Sequence, residues 1–301
     1  MEALLLLRLG ERFCREVVPF VLRLDKEGKG RKVVAAVAGR PEAEDEQLDL
    51  DKRCDKLFER LLKKSDLKVH VFSEHGEYGV PLEEAEYFCS IDPFDGSGLY
   101  RRGVRWDWWS VLSFFDLKGN PLVGCAVDIL SGKMYLAYDQ KATMIYLAQN
   151  KEDEYVESLC PSRQTSLGDD SHIAVYLMDP SYMGSWIDRG GKLLARMRRR
   201  FKRARLYANG GSCIYPLLAG GIVQGYVMFR EPRSEIDPGM GFAKTAGLAL
   251  FSVQPDGRMV PYTRYQPSKR TGRVPFFVAD CNEAFATNLV QIITGERSKL
   301  A

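Results

Sequence analysis

The part of the sequence that most constrains the fold is residues 87–138, where one strand pattern follows another. Apolar runs and apolar/polar alternation predict four strands, over 88–91, 109–117, 122–129 and 134–138. The segment Lys118-Gly-Asn-Pro121 between two of them is typical of a hairpin turn. So many consecutive strands predict a sheet, which helices or a second sheet must cover.

Helices and further strands are predicted on both sides of this stretch. Apolar spacing predicts helices over 2–24, 51–63, 188–202, 211–221, 237–249 and 283–293, and strands over 68–72, 172–178, 222–229 and 274–279. Pro19 lies inside the first helix, where it can break it. Two polar segments are predicted as loops, a mobile one over 33–48 and another over 150–170. The irregular alternation indicates a layered α/β (α+β) fold.

Composition narrows the class of protein. With 301 residues and 45% apolar side chains, the chain can form one large domain over 1–301, or two closely packed halves joined near 150–170. A net charge of +3 gives no reason to expect nucleic acid or a membrane as partner. The apolar run over 3–7 is interrupted by charges and is too short for a membrane span. Seven cysteines without a CxxC pair predict reduced thiols in a cytoplasmic protein.

The residues whose side chains have the clearest chemistry come directly after the strand predicted over 88–91. Asp92 and Asp95 lie three residues apart at the strand end, with the Phe94 carbonyl between them. Hard divalent cations take such oxygen ligands. Gly96 permits close backbone approach, and the N–H groups of Gly96 and Ser97 at a helix start would bind phosphate. Taken alone, the pattern also fits an Asp- and Gly-rich surface turn.

The segment Asp92-Pro-Phe-Asp-Gly-Ser97 resembles the metal-binding signature of the fructose-bisphosphatase and inositol-monophosphatase superfamily. The resemblance continues in order along nearly the whole chain, through segments at 48–53, 71–74, 109–115, 119–128, 211–226 and 235–247. It implies a sugar-phosphatase fold and a magnesium-dependent, lithium-sensitive phosphatase that uses metal-activated water. The implied substrate is a sugar or polyol phosphate, with fructose 1,6-bisphosphate and inositol monophosphate first and a nucleotide bisphosphate third.

The resemblance also implies roles for particular residues. Glu74, Asp92 and the Phe94 carbonyl would hold one Mg²⁺, and Asp92, Asp95 and Glu235 a second, within a site of two or three ions where Mn²⁺ can substitute. Ser97 and Asp51 would orient the attacking water, with Glu74 as a further catalytic group. Substrate contacts are expected from Asn209, Ser212, Arg230 and Arg233. Asp51 and Glu235 also fit as acids that favour a helix N-terminus.

Several features depart from the superfamily pattern. The superfamily often has two consecutive acids where this chain has Glu74-His75. This departure supports a rival interpretation, a catalytically weakened member that binds a phosphorylated ligand or a partner protein. Glu235 is typical of the fructose-bisphosphatase branch, whereas the hairpin over 109–128 is more similar to the inositol and dual-substrate branches. The tryptophans over 106–109 fit a binding wall or a core.

We expect the partners to be a small phosphorylated substrate and a second copy of the chain, in a homodimer or homotetramer. Neither nucleic acid nor a membrane is expected as a partner.

Overall fold

The chain is described from a computed structural model that defines residues 2–36, 46–148, 150–177 and 180–295. Within these residues the helices are α1 (Glu2–Lys26), α2 (Asp49–Leu62), α3 (Ser97–Arg101), α4 (Pro180–Arg200), α5 (Ile214–Ala219), α6 (Arg233–Ile236), α7 (Met240–Ala246) and α8 (Glu283–Thr294). None of the helices in the described part is long and apolar enough to cross a bilayer.

The strands form two large sheets and one small one. The strands up to residue 158 are β1 (Val33–Ala36), β2 (Glu46–Leu48), β3 (Val69–Ser73), β4 (Gly76–Gly79), β5 (Tyr87–Asp95), β6 (Trp109–Phe115), β7 (Pro121–Asp128), β8 (Lys133–Tyr138), β9 (Lys141–Tyr146) and β10 (Tyr155–Ser158). The later strands are β11 (His172–Ala174), β12 (Arg205–Tyr207), β13 (Gly225–Pro232), β14 (Ala249–Val253), β15 (Met259–Pro261) and β16 (Arg273–Asp280).

The first sheet has eight strands in the order β10-β9-β8-β7-β6-β5-β3-β4, and the second has six in the order β12-β11-β13-β16-β14-β15. In the first sheet only β3 and β5 run parallel; in the second, β11 runs parallel to both β12 and β13. Strands β1 and β2 pair with each other.

Three apolar clusters hold these layers together. The first lies between α1, α2 and one face of the first sheet, where Phe13 and Phe58 pack with ring centroids 5.0 Å apart. The second lies between the two sheets and includes the short helices α5 and α7. The third lies between the second sheet and helices α4 and α8, with Trp186 against Phe229. The predicted layered α/β fold is confirmed.

Many predicted elements are confirmed within a few residues, but several differ. Helix α1 is continuous through Pro19, because Val17 and Val21 on either side belong to one buried stripe that tertiary packing stabilises. The helix predicted over 237–249 is confirmed only for α7, because residues Asp237–Gly239 form a 3₁₀ turn and the chain enters β14 at Ala249. Strand β5 extends through Pro93 to Asp95 instead of ending at residue 91.

The predicted loops also differ from the structure. The loop predicted over 150–170 contains strand β10, and strand β9 has no counterpart among the predicted elements. Both strands take their conformation from pairing at the edge of the first sheet. The loop predicted over 33–48 contains β1 and β2, and its residues 37–45 lie outside the described residues. The strand predicted over 172–178 ends at Ala174, and residue 178 also lies outside the described part. All seven cysteines are free thiols, as predicted.

Candidate metal centre and active site

The two acids at the end of β5 face the same point because the strand is irregular there. In a regular strand, residues three apart point to opposite faces of the sheet. Asp92 pairs with Val111 and Asp95 with Trp109, so three steps along β5 oppose only two along β6. One extra residue in a strand reverses the alternation of side chains beyond it. The irregularity therefore brings both carboxylates to one side.

A third carboxylate reaches this point from the second half of the chain. Ligand oxygens of Asp92, Asp95 and Glu235 all lie within 4.8 Å of one another. Glu235 is carried by α6, which follows β13 directly. The next residues are fixed to the first sheet by Ser113, whose hydroxyl donates to the Pro238 carbonyl and accepts from the Gly241 N–H at 2.8 Å. We call Asp92, Asp95 and Glu235 the carboxylate cluster.

The electrostatics of the carboxylate cluster favour a bound cation. Burial raises the pKa of Asp92 well above its usual range, and the neighbouring charges of Glu74 and Asp95 add to the effect. Burial likewise raises the pKa of Asp95, followed by the charges of Glu235 and Asp107. Carboxylates that oppose one another's ionisation in this way are stabilised as anions by a divalent cation. An all-oxygen donor set suits Mg²⁺ or Mn²⁺, so the residues present fit the implied metal.

Asp51 and Ser97 form a hydrogen-bonded pair beside the cluster. The Ser97 hydroxyl donates to Asp51 Oδ1 at 2.7 Å and approaches the Phe94 carbonyl oxygen at 3.1 Å. The other carboxylate oxygen of Asp51 accepts the Leu48 N–H at 2.6 Å, at the start of α2. Asp51 thus both caps a helix and holds a hydroxyl next to the Asp92–Ser97 segment.

Glu74 and His75 lie at the end of β3, next to Asp51. The Glu74 N–H donates to the Ile91 carbonyl at 3.3 Å, which ties the turn after β3 to β5. The His75 side chain is buried, with Nε2 3.7 Å from Asp51 Oδ2 and 3.8 Å from Glu74 Oε2. An imidazole therefore lies between two of the acids predicted to act in catalysis.

The predicted substrate-contact residues lie in different environments. The Ser212 hydroxyl is fully buried, 3.2 Å from Asp92 Oδ2 and 3.3 Å from Asp95 Oδ2. It supports the carboxylate cluster directly, and the Cys213 N–H adds a hydrogen bond to Asp95 at 3.3 Å. Arg233 donates to the Tyr262 hydroxyl at 2.7 Å. Arg230 is exposed and adopts a left-handed φ of 61°, a conformation that costs energy in a non-glycine residue.

One residue beside the cluster, Asp107, was missed from sequence. It is buried, has a φ of 58°, and accepts from the Tyr207 hydroxyl at 3.0 Å and from the side-chain amide of Asn209. Asn209 is thus positioned through Asp107, which links β12 of the second sheet to the start of β6. No local pattern distinguishes Asp107 in the sequence, where it lies between tryptophans.

The residues around Asp107 show why the turn that carries it is fixed. A side chain at Gly96 (φ 105°) would come within 2.5 Å of the Asp107 carbonyl oxygen, so the two turns are in backbone contact. Trp108 and Trp109 are buried core residues, whereas Trp106 is half exposed. The core interpretation of this tryptophan group therefore holds for two of its three members.

Comparison with known proteins gives a result at the level of structure only. No protein-family model matches the chain, and a search of curated proteins finds no significant match to its sequence. Among solved structures, extragenic suppressor protein suhB from Bartonella henselae is similar with a TM-score of 0.66 and 13% identity, over 95% of this chain and 97% of that one.

Two further structures match over nearly their full length. An inositol monophosphatase-fructose 1,6 bisphosphatase gives a TM-score of 0.66 at 18% identity, over 96% of this chain and 98% of that one. An IMPase/NADP phosphatase complexed with Mg²⁺ and phosphate gives 0.66 at 14% identity, over 99% and 98%. The fold that the sequence resemblance implies is therefore confirmed, since this chain shares the fold of these inositol monophosphatase-like structures.

Proposed function

We propose that this chain is a magnesium-dependent phosphatase that hydrolyses a sugar or polyol phosphate monoester. The observation that carries the proposal is the convergence of the oxygens of Asp92, Asp95 and Glu235 within 4.8 Å, beside the Asp51–Ser97 pair. Fructose 1,6-bisphosphate and inositol monophosphate are the first candidate substrates, and a nucleotide bisphosphate is the third. The names of structurally similar proteins, which include an inositol monophosphatase-fructose 1,6 bisphosphatase, support this class of substrate.

The proposed mechanism assigns one set of residues to the metal. Glu74, Asp92 and the Phe94 carbonyl would hold one ion, and the carboxylate cluster would hold a second. Bound Mg²⁺ would polarise the phosphoryl group and lower the pKa of a coordinated water. The Ser212 hydroxyl and the Cys213 N–H would keep Asp92 and Asp95 in the orientation that binds the metal, since both donate into the cluster.

A second set of residues would act on the water and the phosphate. The Ser97 hydroxyl donates a hydrogen bond to Asp51. The Ser97 oxygen can therefore accept a hydrogen bond from the attacking water. Asp51 would then take up the proton through Ser97, as a general base. The N–H groups of Gly96 and Ser97, at the start of α3, would bind a phosphoryl oxygen. Asn209, oriented by Asp107, would contact the remainder of the substrate.

A phosphate-release assay over a panel of phosphate esters tests this proposal. We expect release that requires Mg²⁺ or Mn²⁺ and stops in excess chelator. Asp95→Asn should lower the rate at least about a hundredfold, because it removes a charge that the reaction uses and no packing. Asp66→Asn, an exposed aspartate in the loop before β3, is the matched control and should leave the rate unchanged. Full activity in chelator, or a normal rate for Asp95→Asn, would exclude the mechanism.

The buried His75 favours a second candidate, a phospholigand-binding protein with little turnover. Its imidazole lies 3.7 Å from Asp51 and 3.8 Å from Glu74, where superfamily members often have another acid. If this role is correct, the protein should bind phosphate esters with Mg²⁺ but release no phosphate, and His75→Glu should gain activity. If the phosphatase proposal is correct, the unsubstituted chain is already active.

A further inference from the structure

A groove of about 660 Å³, including the part open to solvent, lies on the Glu74 side of the carboxylate cluster. It runs between the end of β3 and the segment over 265–273 that leads into β16. Glu74 and His75 line its inner end, and Phe72 and Tyr265 contribute aromatic surface. Neither Asn209 nor Ser212, assigned above to the substrate and the cluster, lies among its lining residues.

The outer wall of the groove is cationic. Arg270 and Arg273 both line it, and the segment Lys269-Arg-Thr-Gly-Arg273 contains three cations and no acid. The Arg270 guanidinium stacks over the Phe72 ring at 5.5 Å, which holds it against the groove. Arg273 is held by hydrogen bonds to the Tyr182 hydroxyl at 2.8 Å and to the Arg230 carbonyl at 3.2 Å.

The other polar groups of the groove are hydroxyls, the His75 imidazole and two acids, Glu74 and Asp237, of which Asp237 accepts a hydrogen bond from the Tyr262 hydroxyl at 2.6 Å. Four hydroxyl side chains line it, from Ser73, Ser90, Ser234 and Thr271. Hydroxyls and guanidinium groups together form the donor set that phosphate binds. Glu77 forms an ion pair with Arg270 at the surface. Exposed ion pairs contribute little free energy, so a phosphate group can compete for the same guanidinium.

We propose that this groove is a second phosphate site, adjacent to the carboxylate cluster and separate from it, in which Arg270 and Arg273 bind the anion. Two sources of the phosphate group fit this chemistry. One is released orthophosphate: in an in-line displacement the phosphorus moves toward the attacking water, which in the proposed mechanism Asp51 and Ser97 would hold. The other is a second phosphate carried by the substrate. The assignment of either source rests on the proposed function, but the site itself does not.

Calorimetric titration of inorganic phosphate into the full chain tests the site without turnover. The titration is run in Mg²⁺ and in chelator, at constant ionic strength. We expect a binding event that persists in chelator, and Arg270→Gln should weaken it about tenfold or more through loss of charge-assisted hydrogen bonds. Glu77→Gln, which removes the competing carboxylate, should tighten it. Because this binding needs no catalysis, its failure is distinguishable from failure of the phosphatase proposal.

Lys269→Gln is the matched control, since this exposed side chain carries the same charge in the same loop but does not line the groove. Its phosphate affinity should remain within about twofold of the unsubstituted chain, as for other exposed charges. Absence of binding in chelator would overturn the proposal. Equal weakening by Lys269→Gln and Arg270→Gln would also overturn it, because the effect would then be one of net charge.

Steady-state kinetics in Mg²⁺ then distinguish the two sources. If the groove takes released orthophosphate, Arg270→Gln should raise the inhibition constant of inorganic phosphate and leave KM unchanged for monophosphates and bisphosphates alike. If the groove takes a substrate phosphate, Arg270→Gln should raise KM for bisphosphates and not for monophosphates. Unchanged values for both quantities would overturn any role of the groove in the reaction.

Discussion

Asp51 makes a hydrogen bond that stabilises a helix and another to a residue of the proposed site. One oxygen of its carboxylate accepts the Leu48 N–H and the other accepts the Ser97 hydroxyl. The buried carboxylate is thus held rigidly where a proton would be taken up. In the proposed mechanism Asp51 would therefore act as a general base in addition to capping α2.

Asp51→Asn should separate the two roles. The asparagine oxygen can still accept the Leu48 N–H, so the free energy of unfolding should fall by only about 1 kcal/mol. The amide is not a base, so kcat should fall by about 10² to 10⁴. Urea unfolding and phosphate release measure the two effects. Asp49→Asn, in the same turn but paired with Arg53 at the surface, is the control, and a similar kcat for both variants would contradict the assignment.

Asp280 is a buried acid far from this chemistry, at the end of β16. Its carboxylate is fully buried against Gly225 and near Phe285, and neither oxygen has a hydrogen-bond partner among the described residues. Burial raises its pKa well above the usual range. The folded chain therefore keeps a proton at pH values where the unfolded chain, with a pKa near 3.9, has lost it.

The free energy of unfolding should accordingly fall as pH rises above about 4 and through the raised pKa of Asp280. Asp280→Asn is neutral at every pH and should lose this dependence. Its stability relative to the unsubstituted chain should therefore be greater at pH 8 than at pH 5, as measured by urea unfolding. The exposed Asp170→Asn should show no such difference between the two pH values. A pH-independent effect of Asp280→Asn would show that its carboxyl titrates normally.

At the scale of elements, the contact between α7 and β7 fixes the segment that carries Glu235. Two glycines make this contact possible: a Cβ on Gly241 would lie 2.4 Å from the Val123 carbonyl oxygen, and one on Gly124 would lie 2.8 Å from the Phe242 nitrogen. Both distances are far below van der Waals contact with backbone atoms. The first turn of α7 therefore rests directly on the backbone of the first sheet.

Gly241→Ala should push α7 away from β7 and lower the free energy of unfolding by about 1–3 kcal/mol. Because the same helix follows α6, the cluster should be displaced and phosphate release should fall as well. Gly184→Ala in helix α4 is the control for a glycine without a close contact, because a Cβ at this position would have no atom within 4 Å. It should raise stability by about 0.5–1 kcal/mol. If both variants shift the thermal midpoint in the same direction, the close contact is not what fixes α7.

At the scale of the whole molecule, the cluster joins parts of the chain that are far apart in sequence. Asp92 and Asp95 come from the first sheet, and Glu235 comes from the segment after β13 in the second. Their mutual repulsion opposes folding, and a divalent cation that binds only the folded chain offsets it. Stability should therefore depend on the metal.

Saturating Mg²⁺ should raise the thermal midpoint by several degrees over chelator. A ligand at one hundred times its Kd adds about 2.7 kcal/mol, and each kcal/mol shifts the midpoint of a large domain by about 2–4 °C. Glu235→Gln should reduce this shift and leave the midpoint in chelator equal or higher, because it removes one of the repelling charges. An equal Mg²⁺ shift in both proteins would mean that Glu235 does not hold the ion.

Local sequence determined a large part of this protein. Helix α8 begins at Glu283, as its apolar spacing predicts, with the Asn282 side chain accepting the Phe285 N–H. The β6–β7 hairpin follows from its alternation and its turn residues. The residue types of the Asp92–Ser97 segment predict a preference for a hard cation, because ligand preference is a property of the side chain itself.

Tertiary structure decided the rest. Sheet pairing alone makes β9 and β10 strands. Ser113 fixes Pro238 and Gly241, and the helix predicted over 237–249 is reduced there to a 3₁₀ turn followed by the short helix α7. The irregular pairing of β5 with β6 turns Asp92 and Asp95 to one side. Asp107 accepts its hydrogen bond from Tyr207 only because the fold brings β12 next to the start of β6. Periodicity and turn chemistry act over a few residues and are visible in the sequence, whereas strand register and burial depend on partners a hundred or more residues away.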